Sequence, residues 1–457
     1  MPLAKPFRRR PTSRLRTNLS IVLVSWGVFG ACWWNAVLGT PYTAYARRLG
    51  ASPLMLGLLS SAVLMGVLGQ VISAFLIERT GKRKTIFLAA DLVQRPLWVL
   101  VGALPFLIPP QHAQWRLVGL LGLTLLSSFL GQIGSPAWVS WMAYVIPGRI
   151  RARFLGARYQ VATITGMITA LVVGKVLDWD SSYRTFFVIF GLAAFMGTVD
   201  IVMFFFIPRR HEWPAADPLS PLGILTTPWR DQRFRRYLYY TGMSAATYGV
   251  MGQFGTLYLL ENISLGKFLT NLYMYVIPLS IAAVLGPTAG RQISRFGNRP
   301  VLLVVTLLAV PLPLMWGLCT HNSHLLLLTT AAIAGVVTAA QAVAELNMLF
   351  ALTPATQRSA YVASVSLTAG LVGAGAPVVG GIIAQSLVGW HLPLAGITLV
   401  NLHVVFLVAT VLRVAHVALF IPRLPEPDAR PASELVADVL RGPAGAAGAA
   451  IRRLRGR

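Results

Sequence analysis

Seven ionisable side chains fall inside long apolar stretches, where charge is costly and each such group is a candidate for function. They are Asp91, Arg95, Asp200, Glu345, His403, Arg413 and His416. Glu345 is the acid we select, because Gln341 lies one helical turn before it and Asn347 lies beside it. A carboxyl group in such surroundings can carry a proton, since burial favours the neutral form. The alternative is a permanent ion pair with Arg358 or another cation.

Asp91 is the second candidate for proton coupling. It lies four residues before Arg95, so the two side chains share one helical face and can neutralise each other. The same spacing fits a purely structural ion pair. We expect Asp200 to face water or to pair with an arginine, and Arg413 and His416 to extend along their helix to its polar end.

Helices that cross a bilayer must position these side chains. The chain has 457 residues, of which 56% are hydrophobic and 12% charged, whereas a soluble globule carries about 25% charged residues. An apolar run of about 20 residues spans the hydrocarbon core as a helix, because each backbone polar group then finds its partner within the segment. The chain is therefore predicted to be an all-α membrane protein with twelve spans, at 18–45, 53–77, 84–107, 116–146, 153–177, 184–207, 235–260, 268–291, 300–319, 324–352, 359–387 and 392–420.

Basic residues fix the predicted orientation. The net charge is +25, but most of the 39 lysines and arginines lie in short segments on the side of both termini. This distribution is a topology signal rather than a nucleic-acid-binding surface. It predicts a multi-pass protein of the bacterial cytoplasmic (inner) membrane with both termini in the cytoplasm.

The spans divide into two groups of six. We predict an N-terminal six-helix bundle at 1–207, a cytoplasmic inter-bundle loop at 208–234, a C-terminal six-helix bundle at 235–420 and a cytoplasmic basic tail at 421–457. Ser433 can cap a short helix through Leu440 in that tail.

Two landmarks recur at nearly equal offsets, which indicates a duplicated half and two pseudo-symmetric bundles. The first pairs Arg79, Gly81 and Arg83 with Arg295, Gly297 and Arg299; the second pairs Pro147 and Arg151 with Pro354 and Arg358.

The first of these loops resembles the signature loop of the major facilitator superfamily, Gly-x-x-x-Asp-Arg/Lys-x-Gly-Arg/Lys-Arg/Lys. Ala74 replaces its first glycine, Glu78 replaces its aspartate, and Ser294 replaces the acid in the second copy. The matching residues are Arg79, Gly81, Lys82 and Arg83 in the first copy and Gly290, Arg295, Gly297 and Arg299 in the second. The resemblance implies the major facilitator fold and secondary active transport by alternating access.

By the same resemblance, the two loops form a conformational latch between the bundles. Glu78 would pair with an arginine of a neighbouring helix and release it during the transport cycle. The alternative is that these charges only set topology.

The resemblance also places the first, fourth, seventh and tenth helices around a central cavity. Aromatic walls with a few amides suit a moderately polar or amphipathic organic molecule, although each aromatic side chain could instead face lipid or a neighbouring helix. The candidate substrate contacts are Trp33, Asn35, Gln132, Trp138, Tyr248, Gln253 and Gln341.

The sequence excludes some other classes of function and leaves one as an alternative. Two cysteines exclude a disulfide framework and a cysteine-rich metal site, and we predict no metal site, no cofactor and no enzymatic activity. The expected function is transport of a small organic solute by a monomer in the lipid bilayer, coupled to protons and leaning to efflux. The alternative is a transport-inactive membrane receptor or assembly partner of the same fold.

Overall fold

The computed structural model describes residues 13–208, 221–354, 358–394, 397–426 and 428–440. Twelve long helices occur within these ranges and confirm an all-α architecture. In chain order they are α1 (Ser13–Arg48), α2 (Pro53–Thr80), α3 (Arg83–Leu107), α4 (Pro110–Val145), α5 (Gly148–Trp179), α6 (Tyr183–Phe206), α7 (Gln232–Met251), α8 (Lys267–Phe296), α9 (Asn298–Gly317), α10 (His324–Leu352), α11 (Arg358–Ser386) and α12 (Asn401–Arg423).

Eleven of these helices, all except α7, contain stretches that are long and apolar enough to cross a membrane. Tyrosines and arginines make α7 more polar, and it ends at Gly252, whose φ of 33° lies in a region that disfavours other residues. The chain then continues as Phe254–Leu257 and a π-helical turn, Tyr258–Asn262. The predicted span 235–260 is therefore a helix with one break.

The start of the last predicted span, 392–420, was wrong. Two short strands precede α12, β1 (His391–Leu394) and β2 (Ile397–Val400), and they pair antiparallel with His391 opposite Val400. Pro393 would remove a helical hydrogen bond, and the β-branched residues of Ile397–Val400 favour an extended strand. The strands are as apolar as α12, so hydrophobicity alone could not show where the strands end and the helix begins.

The predicted inter-bundle loop also contains regular structure. A ten-residue helix, Pro221–Arg230, occupies its second part, while residues 209–220 lie outside the described ranges. Asp231 then caps α7, because its Oδ1 accepts hydrogen bonds from the backbone N–H groups of Arg233 (2.9 Å) and Phe234 (3.2 Å).

The start of the tail folds back onto the second group of six helices. Residues 432–440 form a helix, which begins one residue before the predicted cap Ser433 and reaches Leu440 as expected. Leu424 and Leu435 are buried in the same apolar cluster as residues of α7, α9 and α10. Residues 441–457, which include the terminal arginines, lie outside the described part of the chain.

Candidate functional site

The two sets of six helices, α1–α6 (the first half) and α7–α12 (the second half), meet most closely on one side of the molecule. We call the side that carries residue 13 and the tail the terminal side. The halves meet on the other side, which we call the opposite side. Arg47 and Glu261 form an ion pair there, with 2.5 Å between Nε and Oε1. The carboxylate of Asp178 accepts hydrogen bonds from the backbone N–H groups of Lys267 (2.6 Å) and Phe268 (3.0 Å) at the start of α8. An acid at a helix N-terminus is favoured by the helix dipole.

Small residues allow α2 and α11 to cross tightly on the same side. A Cβ atom added to Gly57 would lie 2.4 Å from the carbonyl oxygen of Pro377, and one added to Gly381 would lie 3.0 Å from that of Pro53. The glycine-rich stretch of α11 thus serves close helix packing.

The first half contains a cavity of about 510 Å³ to which all six of its helices contribute, α2 through Val63 alone. Four of the predicted site residues line it: Trp33, Asp91, Gln132 and Trp138. The amide oxygen of Gln132 accepts a hydrogen bond of 2.7 Å from Gln70 Nε2. The cavity therefore combines tryptophan faces with amides and buried charge.

Arg95 lies at the centre of the buried charges of this cavity. Its Nη2 lies 3.3 Å from Asp200 Oδ2 and 3.8 Å from Asp91 Oδ2, and its guanidinium covers the ring of Trp33 at 3.6 Å. The intrahelical pair of Asp91 and Arg95 is thus present, but Asp200 of α6 makes the shorter contact. Asp200 is only 1% exposed, so it pairs with an arginine and does not face water.

Arg158 of α5 is a cavity residue that the sequence reasoning did not select. Its guanidinium lies 4.2 Å from the ring centre of Trp138 and 5.6 Å from that of Trp26, and its Nε donates to the carbonyl oxygen of Val22. The arginine lies ten residues into its helix, which from sequence alone resembles the end of a loop. The tryptophans that stack on it come from α1 and α4, so only the tertiary structure brings the three together.

The second half has a cavity of about 350 Å³ that is lined by three more predicted residues, Tyr248, Gln341 and Glu345. Glu345 Oε1 accepts hydrogen bonds from the Tyr240 hydroxyl (2.9 Å) and from Gln341 Nε2 (2.8 Å). The Tyr248 hydroxyl donates to Gln341 Oε1 at 2.7 Å. A continuous hydrogen-bonded chain therefore links α7 to the acid on α10. The alternative ion pair with Arg358 involves a side chain outside the described residues.

Arg413 and His416 of α12 do not extend to the polar end of their helix, so that expectation was wrong. They are 4% and 2% exposed, respectively. Arg413 lines the second cavity beside Tyr248, and its Nη1 donates to the carbonyl oxygen of Ala309 at 2.7 Å. Arg413 is ten residues from Arg423, about 15 Å along a helix, which is beyond the reach of its side chain. This distance follows from the residue numbers alone, so the sequence was enough to exclude the extension of Arg413 to the polar end.

Two predicted contacts, Asn35 and Gln253, line neither cavity. Asn35 Nδ2 donates to the carbonyl oxygen of Ala31 and lies where α1 meets α5. Gln253 follows the break in α7 and accepts a hydrogen bond from Thr43 Oγ1 at 3.3 Å, so it joins the halves on the opposite side.

Comparison with known families identifies the chain. A family model described as Major Facilitator Superfamily matches residues 22–286 and, a second time, residues 264–455. The two matches together cover almost the entire sequence. The chain belongs to the Major Facilitator Superfamily.

Solved structures of superfamily-type transporters share the fold. A variant of the nucleoside transporter NupG superposes with a TM-score of 0.69 at 14% identity, covering 89% of this chain and 100% of that one. A D-xylose-proton symporter gives 0.64 at 13%, covering 90% and 99%. A bacterial homolog of the human lysosomal transporter Spinster gives 0.62 at 15%, covering 92% and 98%. No curated protein matches the sequence. The Major Facilitator Superfamily is a family of membrane-embedded transporters.

The first superfamily signature loop packs within its own half. Gly81 ends α2 with φ 66°, a conformation that favours glycine, and its N–H donates to the carbonyl oxygen of Ile77. Arg83 Nε donates to Ser140 Oγ at 2.8 Å, and Lys84 Nζ donates to the carbonyl oxygen of Ile207 at 2.5 Å. These bonds tie the loop to α4 and to the end of α6. The latch role of Glu78, Arg79 and Lys82 stays a prediction.

The second superfamily loop receives acids from the tail. Arg295 Nη1 lies 2.7 Å from Asp438 Oδ1, while the carboxylate of Glu426 accepts hydrogen bonds from the backbone N–H groups of Asn298 (2.9 Å) and Arg299 (2.6 Å). Gly297 has φ 99°, and a Cβ there would lie 3.2 Å from Ala429. The tail thus places two acids at the loop in which Ser294 replaces the signature acid, while Gly290 has open space around it.

Proposed function

We propose that the protein transports a small organic molecule across the bacterial cytoplasmic membrane by alternating access through a cleft between its halves. The observation that carries this proposal is the asymmetry of the inter-half contacts. An ion pair, hydrogen bonds and a tight helix crossing join the halves on the opposite side, while each half holds buried charges and aromatic rings around a cavity. Such rocking bundles expose one central site to each side in turn.

The excess of lysine and arginine on the terminal side supports a cytoplasmic location for both termini. With that orientation the halves are joined at the periplasmic side. Substrate would then bind from the cytoplasm, or be released to it, in this conformation. The two bundles, at 1–207 and 235–420, would act as the two rigid bodies that rock against each other. The working unit that we propose is a monomer, because one chain supplies both of the six-helix halves that would move against each other.

Proton coupling is the energy source that we propose, with Glu345 and Asp91 as the carriers. Glu345 is surrounded by neutral donors, so it can gain or lose a proton without disrupting an ion pair with a described cation. Asp91 lies 3.8 Å from Arg95, whose shorter contact of 3.3 Å is to Asp200, so Asp91 is the less compensated of the two carboxylates. Efflux in exchange for protons is the direction we favour.

Flux into proteoliposomes tests the proposal. Purified protein is reconstituted, a broad panel of labelled organic solutes is offered, and uptake is compared with and without a pH gradient. We expect gradient-dependent flux of at least one solute. Absence of flux for every solute, together with co-purification of a stoichiometric partner protein, would favour the receptor or assembly role instead.

A further inference from the structure

The cavity of the second half holds one acid and one arginine that do not pair with each other. Glu345 and Arg413 both line it, and neither forms an ion pair with any described residue. Tyr248 and Gln341 separate them, because Arg413 lies 5.1 Å from the ring centre of Tyr248 and Gln341 bonds to both the Tyr248 hydroxyl and Glu345. Two opposite charges are thus kept apart along one wall.

Arg413 has no negatively charged partner among the described residues, although it is buried, with 4% of its surface exposed. Its Nη1 donates to the carbonyl oxygen of Ala309, and its Nε has no hydrogen-bond partner among the described residues. A buried guanidinium without an anion is unfavourable, and its planar donors match a carboxylate in particular. The arginine therefore offers a place for a negatively charged group of a ligand.

Glu345 is compensated only by neutral groups. Its carboxylate accepts from the Tyr240 hydroxyl and the Gln341 amide, which leaves its negative charge available for a positive group. His416, the other titratable residue of α12 near this site, lies against the ring of Tyr240. Met251, Met274 and Trp316 supply the apolar walls.

The acids of the first half, unlike Glu345, lie next to an arginine. Both of these acids, Asp91 and Asp200, lie beside Arg95, whereas Arg158 stacks on Trp138 and forms no ion pair with a described residue. The ammonium group of a zwitterion would therefore have to displace an existing ion pair there. The uncompensated charges of the second half are the better anchor.

We infer that the substrate is a zwitterionic organic molecule, whose carboxylate binds Arg413 and whose ammonium group binds Glu345. This inference rests on the proposed transport function and specifies its substrate class. The apolar part of the molecule packs against the methionines and Trp316. Because a proton and an ammonium group compete for Glu345, substrate release and proton uptake are linked at one carboxylate.

Thermal unfolding of the purified full-length protein tests the inference with charge-matched probes. For each of the proteinogenic amino acids with an uncharged side chain, the free zwitterion is compared with its methyl ester, its N-acetyl acid and its N-acetyl amide. We expect at least one zwitterion to stabilise the protein, with the ester and the N-acetyl acid binding at least about tenfold more weakly. If no zwitterion stabilises the protein, or if an ester or amide binds as well, the inference is overturned.

Two variants separate the two charge contacts. Arg413→Gln should lose the preference for zwitterion over ester, and Glu345→Gln the preference for zwitterion over N-acetyl acid. Arg423→Gln, on the same helix but outside the cavity, is the matched control and should bind like the unaltered protein. Preferences that persist in both cavity variants contradict the assignment. Flux of a non-zwitterionic solute in proteoliposomes would leave the transport function intact while excluding this substrate class.

Discussion

At the scale of single residues, Arg95 shows why a buried ion pair is sensitive to the loss of one partner. Arg95 is 3% exposed, and its guanidinium lies between Asp91 and Asp200 with Trp33 on its face. Removing one acid leaves buried positive charge with less compensation. The contribution of these three charged residues to stability is therefore better measured by replacing one of them than by counting their contacts.

Replacement of Asp200 by alanine should destabilise the protein by about 3–5 kcal/mol, the usual cost of breaking a buried ion pair. Chemical unfolding in detergent, followed by tryptophan fluorescence, measures the change. Asp428→Ala removes an exposed carboxylate and provides the control. Equal stability of the two variants would show that Asp200 and Arg95 do not stabilise each other.

Replacement of Glu345 by glutamine should abolish the pH dependence of flux, since the amide keeps the shape and hydrogen bonds of the side chain but cannot titrate. The titratable groups near Glu345 are Tyr237, Tyr240 and Tyr248 from α7, while Arg413 from α12 lines the same cavity beyond Tyr248. Initial rates across a series of internal pH values provide the measurement. Unchanged pH dependence would exclude Glu345 as the proton-coupling residue, and the same measurement would then be made on Asp91→Asn.

The sequence predicted cavity residues best where partners lie one turn apart on one helix. Gln341 and Glu345 are of this kind, and the structure joins them by a hydrogen bond of 2.8 Å. Arg158 and Asp200 could not be recognised in this way, because their contacts come from α1, α3 and α4. Hydrophobic periodicity locates a helix but does not say which helix lies opposite a given side chain.

At the scale of elements, the crossing of α2 and α11 depends on Gly57. A side chain at this position would overlap the carbonyl oxygen of Pro377, so closure on the opposite side requires glycine. Twelve helices were predictable because each apolar run is long, whereas the β1–β2 hairpin was not, since its residues are as apolar as the helix that follows.

Gly57→Val should weaken closure on the opposite side, with an overpacking cost of about 1–3 kcal/mol. The readout is labelling of a single cysteine at Thr43 by a membrane-impermeant maleimide, in a background without Cys32 and Cys319. Gly122→Val is the matched control, because it lies in α4 with nothing within 4 Å of an added Cβ. Labelling should rise in the first variant and stay unchanged in the second.

The tail segment supplies an N-terminal cap for α9 through Glu426, an arrangement that the sequence did not reveal because the two segments are far apart in the chain. Glu426→Gln should weaken this cap by about 1 kcal/mol. Hydrogen exchange of residues 295–301 should accelerate, whereas Glu434→Gln, at an exposed position of the same tail, should leave it unchanged. Identical exchange in both variants would mean that the tail does not stabilise the loop.

At the scale of the whole molecule, the fold follows from two six-helix halves that were recognisable as a repeat in the sequence. Arg79, Gly81 and Arg83 recur as Arg295, Gly297 and Arg299, and the family match likewise occurs twice along the chain. The repeat does not reveal which conformation is adopted, because that depends on contacts between the halves. Arg47 with Glu261 and Asp178 with the start of α8 supply those contacts on the opposite side.

A reversible cross-link across the opposite side tests alternating access most directly. Cysteines replace Arg47 and Glu261 in a background without Cys32 and Cys319, and flux of a transported solute is measured before oxidation, after oxidation and after reduction. We expect the disulfide to stop flux and reduction to restore it, while neither single-cysteine variant responds to oxidant. Full flux with the disulfide quantitatively in place would contradict transport by separation of the two halves on this side.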